Sequence, residues 1–201
     1  MYLTPTSRVY GYHGCDRKLA DQILAGETPF QPSRNDYDWL GHGVYFWEND
    51  PDRALRFAQE LAHRPVPGRA PIEEPAVLGT IIDLGHCLDF LKVEYLAMLK
   101  EGYDAYEKLR LISGCPAPRN RFSQEKEEYL IRKLDCAVIQ TLHGLMKIRN
   151  EQAFDTVRGV FWEGKELYPT AGFREKNHLQ ICVRSADAIK GCFRPARRAA
   201  G

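Results

Sequence analysis

From His178 to Arg184 the side chains alternate without interruption: Leu179, Ile181 and Val183 fall on one side of an extended chain, and His178, Gln180, Cys182 and Arg184 on the other. This pattern requires a strand with a buried aliphatic face. Burying that face turns Gln180 to the opposite side, where an amide finds partners in the protein, meets solvent, or serves a ligand. The strand alone leaves those alternatives open.

Other segments read in the same way. Residues 8 to 13 form a strand pattern, with Val9, Gly11 and His13 on one side and Tyr10 and Tyr12 on the other. Leu19, Ala20, Ile23 and Leu24 repeat at helical spacing, which predicts a helix near 16 to 25 with Gly26 as its stop. Glu27 to Trp39 holds two prolines and the run Ser33-Arg34-Asn35-Asp36, and reads as a functional loop. Val44 to Trp47 is a short strand. In Asn49-Asp50-Pro51-Asp52, Asp50 is placed to cap a helix that begins at Pro51 and presents Ala54, Phe57, Ala58 and Leu61 on one face.

Four prolines between Arg64 and Pro75 exclude regular structure there, which makes this segment an extended connector. Ala76 to Asp83 is an apolar, β-branched run expected as a central strand. Helical patterns over residues 89 to 112 and 124 to 149 are separated by Gly114-Cys-Pro-Ala-Pro118. The second has an acidic start and an apolar stripe of Leu130, Leu134, Ala137, Val138, Thr141 and Leu145. Thr156 to Glu163 and His178 to Arg184 return to strands. This order predicts an α+β domain, not a doubly wound sheet. We expect one domain over residues 1–201, with a largely helical insertion over 88–150.

The 201 residues suffice for one core without covalent staples. Twenty-eight Lys and Arg against twenty-seven Asp and Glu leave a net charge of +1, so no global field draws the chain to nucleic acid or anionic lipid. Apolar runs are too short to span a bilayer, and Met1 to Arg8 lacks a signal-peptide core, so the expectation is a cytoplasmic protein with no membrane partner. Cys15, Cys87, Cys115, Cys136, Cys182 and Cys192 include no CxxC pair, which favours reduced thiols and no metal. The GxGxxG and GxxxxGK[ST] signatures are missing, so a nucleotide would be held in another way.

Three stretches carry the chemistry: Tyr12-His13-Gly14-Cys15, then Gly41-His42-Gly43-Val44-Tyr45-Phe46, then His178-Leu-Gln-Ile-Cys-Val-Arg-Ser-Ala-Asp-Ala-Ile189-Lys190. In this order they resemble the motifs of the ADP-ribosyltransferase superfamily. The likeness is to its diphtheria-toxin and poly(ADP-ribose) polymerase branch, whose catalytic pattern is His, Tyr, Glu. The resemblance implies a split antiparallel β-sheet core with flanking helices and NAD as substrate. It also implies that His13 bonds the adenosine-side ribose, the Gly14 backbone reads the nicotinamide carboxamide, and Tyr45 stacks on the nicotinamide ring. Phe57 falls at the second stacking aromatic if one extra residue is allowed. Counting back from Ile189 places Gln180 at the third catalytic position, giving His13, Tyr45 and Gln180.

Cleaving the nicotinamide glycosidic bond develops positive charge on the ribose. A glutamine holds a hydroxyl without adding charge, and hydrogen bonds to charged groups are worth roughly 1.5 to 3 kcal/mol against about 0.5 to 1.5 for neutral ones. Gln180 is therefore expected to weaken turnover and to argue against chain elongation. The implied activity is mono-ADP-ribosylation of the bacterial toxin or effector type, with a protein or nucleic-acid acceptor and a neutralising partner protein. Glu175, Glu163 and Asp36 are candidate bases. Arg174, Lys176, Arg194, Arg197 and Arg198 are candidates to meet phosphates, and Trp39 and Tyr37 to cover adenosine. The rivals are a NAD glycohydrolase of the same fold, a non-catalytic module binding NAD or ADP-ribose, and a thiol hydrolase using Cys15 with His13 or His42.

Overall fold

A computed structural model describes residues 8–64, 70–123 and 128–196; Arg197 and Arg198 lie outside them. The chain opens with β1 (Arg8–Asp16), whose last residue starts α1 (Arg17–Leu24). The Asp16 carboxylate accepts from the amides of Lys18, Glu73 and Glu74 at 2.9, 2.8 and 3.0 Å, tying the helix start to the connector ahead of β3. These backbone bonds hold its pKa below the usual carboxylate value.

A loop leads to β2 (Val44–Glu48) and α2 (Pro51–His63). As the sequence predicts, Asp50 caps α2, accepting from the Arg53 amide at 2.8 Å, and Pro51 takes the first helical turn. Then follow β3 (Pro75–Asp83), β4 (Cys87–Asp89), α3 (Val93–Ser113), β5 (Asn120–Ser123), β6 (Glu128–Arg132) and α4 (Lys133–Ile148). The chain continues through β7 (Thr156–Phe161), β8 (His178–Val183), a 3₁₀ turn at Ala186–Ala188 and β9 (Ile189–Phe193).

The fold is α+β. Seven strands make one mixed sheet in the order β4-β7-β8-β2-β1-β3-β9, and β5 and β6 form a separate hairpin. Its pairs are antiparallel except for β4 with β7. The middle strand is β2. β3, expected to be central, lies between β1 and β9, one strand from the edge.

Two predicted helices start later than their periodicity suggests. Cys87–Asp89 pairs with Thr156–Arg158, so α3 begins only at Val93. The pattern from 124 to 149 is part strand: Leu130 belongs to β6, and α4 begins at Lys133. The start is set from outside the helix. Asn120 Oδ1 accepts from the amides of Leu134 and Asp135 at 3.0 and 3.3 Å, while its Nδ2 donates to the Asp135 carboxylate at 2.8 Å. A cap supplied by a strand thirteen residues before the helix carries no local sequence signal.

β8 is buried on both faces, not one. Ile181 and Val183 pack with Val44, Phe46 and Ile82, whereas Cys182 packs with Leu40, Leu88, Leu142 and Val157 on the other side. Gln180 is consequently only 9% exposed, which removes the solvated reading of its amide.

Candidate site at the opening between β1 and β2

β1 and β3 stay in register along the whole of Arg8–Asp16, but β1 and β2 pair only at Gly11–Glu48 and Tyr12–Trp47. The Asn49 amide donates to the Tyr10 carbonyl at 2.9 Å, so alternation turns the backbone groups of Tyr10, Tyr12 and Gly14 toward β2. Continued in register, the ladder would set Gly14 opposite Tyr45. Instead the strands part there, and the His13 imidazole donates from Nδ1 to the Tyr45 carbonyl at 2.8 Å. The Gly14 peptide faces the opening. The bond fixes the His13 tautomer, and Phe30 and Phe46 hold its ring edge-on and tilted at 5.6 and 5.7 Å.

Gly14 is required for packing. A Cβ there would collide with the Ala54 carbonyl oxygen, because α2 crosses directly over β1. Beside this crossing is a cavity of about 540 Å³ whose walls include His13, Gly14, Lys18, Phe57, Leu61 and Ile72. That volume lies within the range of small-molecule sites, roughly 300 to 1,000 Å³. His13, Gly14 and Phe57 thus share one cavity.

Tyr45 and Gln180 do not line that cavity; their side chains leave the sheet on the face opposite His13. The Tyr45 hydroxyl donates to the Gly41 carbonyl at 2.8 Å and accepts from the Leu40 amide at 3.0 Å. Gly41 forms this cradle at φ +81°. Burial holds the phenol protonated, above its ordinary range. Gln180 pairs across β2 with Trp47, and its Oε1 accepts from Trp39 Nε1 at 2.6 Å. The early loop therefore supplies a partner for the Gln180 amide. Trp39 also packs on Phe161 at 4.9 Å, with the Arg132 guanidinium above both rings.

Next to Gln180 lies a buried polar group that the sequence motifs did not announce. Arg53 Nη2 meets both oxygens of Glu163 at 2.9 and 2.8 Å, and its guanidinium carbon sits 5.5 Å from the Trp47 ring. His178 stacks on Phe161 at 5.3 Å and donates from Nδ1 to the Lys176 carbonyl at 2.6 Å. The signals were the period-two spacing of Trp47 from Tyr45 and of His178 from Gln180, and Arg53 one turn before Phe57 on α2.

Of the other candidates, Glu163 and Lys176 join the Arg53–His178 cluster and the rest are dispersed. Glu163 is engaged by Arg53, Asp36 by Lys133 at 2.5 Å, and Glu175 accepts from the Lys165 amide at 3.4 Å. Lys176 pairs with Glu60 at 2.9 Å and Arg194 with Asp21 at 2.8 Å, while Arg174 lies over Trp162. Tyr37 is exposed. Burial pushes the Cys15 thiol up to about 12, the opposite of what a thiolate nucleophile needs. His42 is bound to Gln140 at 2.5 Å, in another part of the fold. All six cysteines are free. Among the described residues there is no cluster of metal-ligating side chains, and no helix is long and apolar enough to cross a membrane.

The chain is similar to an uncharacterized protein, MJ0359, of Methanocaldococcus jannaschii, with 25% identity over 200 residues covering 89% of this chain and 83% of that protein. No family model and no solved structure matches it.

Proposed function

We propose that the chain is a NAD-dependent mono-ADP-ribosyltransferase with the split-sheet fold of that superfamily, cleaving the nicotinamide glycosidic bond and transferring ADP-ribose to a macromolecule. The observation that carries this reading is the opening between β1 and β2. The His13 imidazole occupies the Tyr45 carbonyl, the buried Gly14 turns its peptide edge toward the gap, and both residues border the cavity that Phe57 lines. A free peptide edge offers a donor and an acceptor side by side, the complement of a primary carboxamide. A ring bound there meets Phe57, and aromatic stacking contributes about 0.5 to 1.5 kcal/mol beyond area burial.

Gln180 and its Trp39 partner lie on the far side of β2. In this reading Gln180 holds a ribose hydroxyl through its amide N–H while Oε1 stays bound to Trp39. Its neutrality suits a slow single transfer. A neutral third residue equally favours the glycohydrolase reading, in which water receives the ADP-ribose. Incubation of the purified chain with NAD and a cell lysate, followed by chromatography for nicotinamide and mass spectrometry of proteins and nucleic acids, tests both. Nicotinamide with a labelled macromolecule supports transfer, and nicotinamide with free ADP-ribose alone supports hydrolysis. Intact NAD after hours contradicts both.

A further inference from the structure

We propose that Trp47, Arg53 and His178 form the subsite for the group that receives ADP-ribose, and that His178 Nε2 takes the proton of a hydroxyl bound there. The proposal rests on the NAD-cleaving reading above. The three side chains are 3%, 6% and 8% exposed, and each has a buried polar atom with no hydrogen-bond partner among the described residues: Trp47 Nε1, Arg53 Nε and Nη1, and His178 Nε2. They adjoin one another, with the Arg53 guanidinium carbon 5.5 Å from the Trp47 ring and the Trp47 and His178 rings 6.0 Å apart. Buried polar atoms in native proteins rarely go unpaired, so several in one cluster mark a place where a polar group binds.

Their chemistry selects that group. The indole and the guanidinium only donate. His178 commits its Nδ1 proton to the Lys176 carbonyl, so Nε2 presents a lone pair. A hydroxyl is the group whose chemistry matches all three side chains, since its oxygen can accept from Trp47 and Arg53 while its proton goes to Nε2. A guanidinium or ammonium acceptor offers Trp47 no lone pair and faces the Arg53 charge, and a carboxylate has no proton for Nε2. The subsite adjoins Gln180, which pairs with Trp47 and lies two residues from His178 on one face of β8. In the step itself the hydroxyl oxygen bonds to the anomeric carbon as the bond from that carbon to the nicotinamide nitrogen breaks. The electron pair leaves with nicotinamide, and the hydroxyl proton passes to His178 Nε2 and then to solvent.

The groups facing His178 are Arg53 on α2, Asp50 at its cap, and Glu163 and Lys176 from the loop between β7 and β8. Burial, with Arg53, lowers the imidazole pKa, while the Lys176 carbonyl, Glu163 and Asp50 oppose that shift. The ring is therefore neutral and able to accept a proton near neutrality.

The test incubates the intact chain with NAD and either methanol, as a small hydroxyl probe, or agmatine, as a guanidinium probe, between about pH 4.5 and 8. The expected products are methyl ADP-riboside and ADP-ribose, with no agmatine adduct, formed at a rate that rises with pH through a midpoint below the ordinary histidine value of 6.5. His178→Gln is expected to slow both products about 100-fold or more, to abolish that midpoint, and to leave NAD affinity within about threefold. Trp47→Phe keeps the ring packing, removes only the N–H, and is expected to slow transfer about tenfold. Nicotinamide release by the parent with both variants matching its rate and midpoint, or agmatine preferred to methanol, overturns this proposal alone. No nicotinamide release by the parent overturns the NAD-cleaving reading and this proposal with it.

Discussion

His13 Nδ1 stands 2.8 Å from the Tyr45 carbonyl oxygen, at the point where a continued ladder would set the Gly14 amide. A side chain thus replaces a sheet rung, and the two strands separate without leaving the Tyr45 carbonyl unpaired. His13→Ala removes the donor and one wall of the cavity. A net hydrogen bond of about 0.5 to 1.5 kcal/mol predicts a loss of NAD affinity of roughly threefold to tenfold, read by calorimetry. His13→Asn keeps a donor near Nδ1 and is expected to recover most of that loss. Equal affinity for the parent and the alanine variant contradicts the role.

Gly14→Ala tests the crossing of α2 over β1. The added Cβ collides with the backbone carbonyl of Ala54, which cannot turn aside as a flexible side chain would. Overpacking of this kind costs typically 1 to 3 kcal/mol, and at about 2 to 4 °C per kcal/mol the melting temperature should fall by roughly 2 to 12 °C. An unchanged melting curve contradicts the packing.

Gln180→Glu and Gln180→Ala separate charge from position. The glutamate can still accept from Trp39 Nε1 and adds the negative charge that a developing oxocarbenium ion needs, so nicotinamide release should rise about tenfold. Alanine leaves Trp39 Nε1 without its partner, and turnover should fall while NAD binding is largely spared. A carboxylate at 180 that leaves turnover unchanged would show that charge there is not limiting.

Stability should fall on mild acidification through His143. Burial first, then the Arg184 and His42 charges, lower its pKa from 6.5 to about 3. Between those values the unfolded chain binds a proton that the folded chain does not, so stability is complete above 6.5 and is lost as pH falls toward 3. One such proton gives a slope approaching about 1.4 kcal/mol per pH unit. Urea unfolding at several pH values measures it, and His143→Leu should flatten this part of the dependence.

Elements with local signals were legible in the sequence. Asp50 and Pro51 announce α2, Gly26 ends α1, and the alternation from 178 to 183 defines β8. Elements whose boundaries depend on distant partners were not. β4 exists because β7 lies beside it, and α4 starts where Asn120 reaches its amides. The site divides in the same way. His13, Gly14 and Phe57 were named from motifs, and the fold sets them on one cavity. The Trp39 bond to Gln180 spans 141 residues and the Arg53 pair with Glu163 spans 110, distances over which no periodicity operates.

The most direct measurement is the backbone amide resonance of Gly14 in an isotope-labelled chain titrated with NAD and with nicotinamide alone. A nicotinamide carboxamide seated at the strand opening should shift the Gly14 amide and the His13 ring with both ligands, in step with Phe57. Saturating NAD that leaves Gly14, His13 and Phe57 unmoved would contradict a dinucleotide site between β1 and β2.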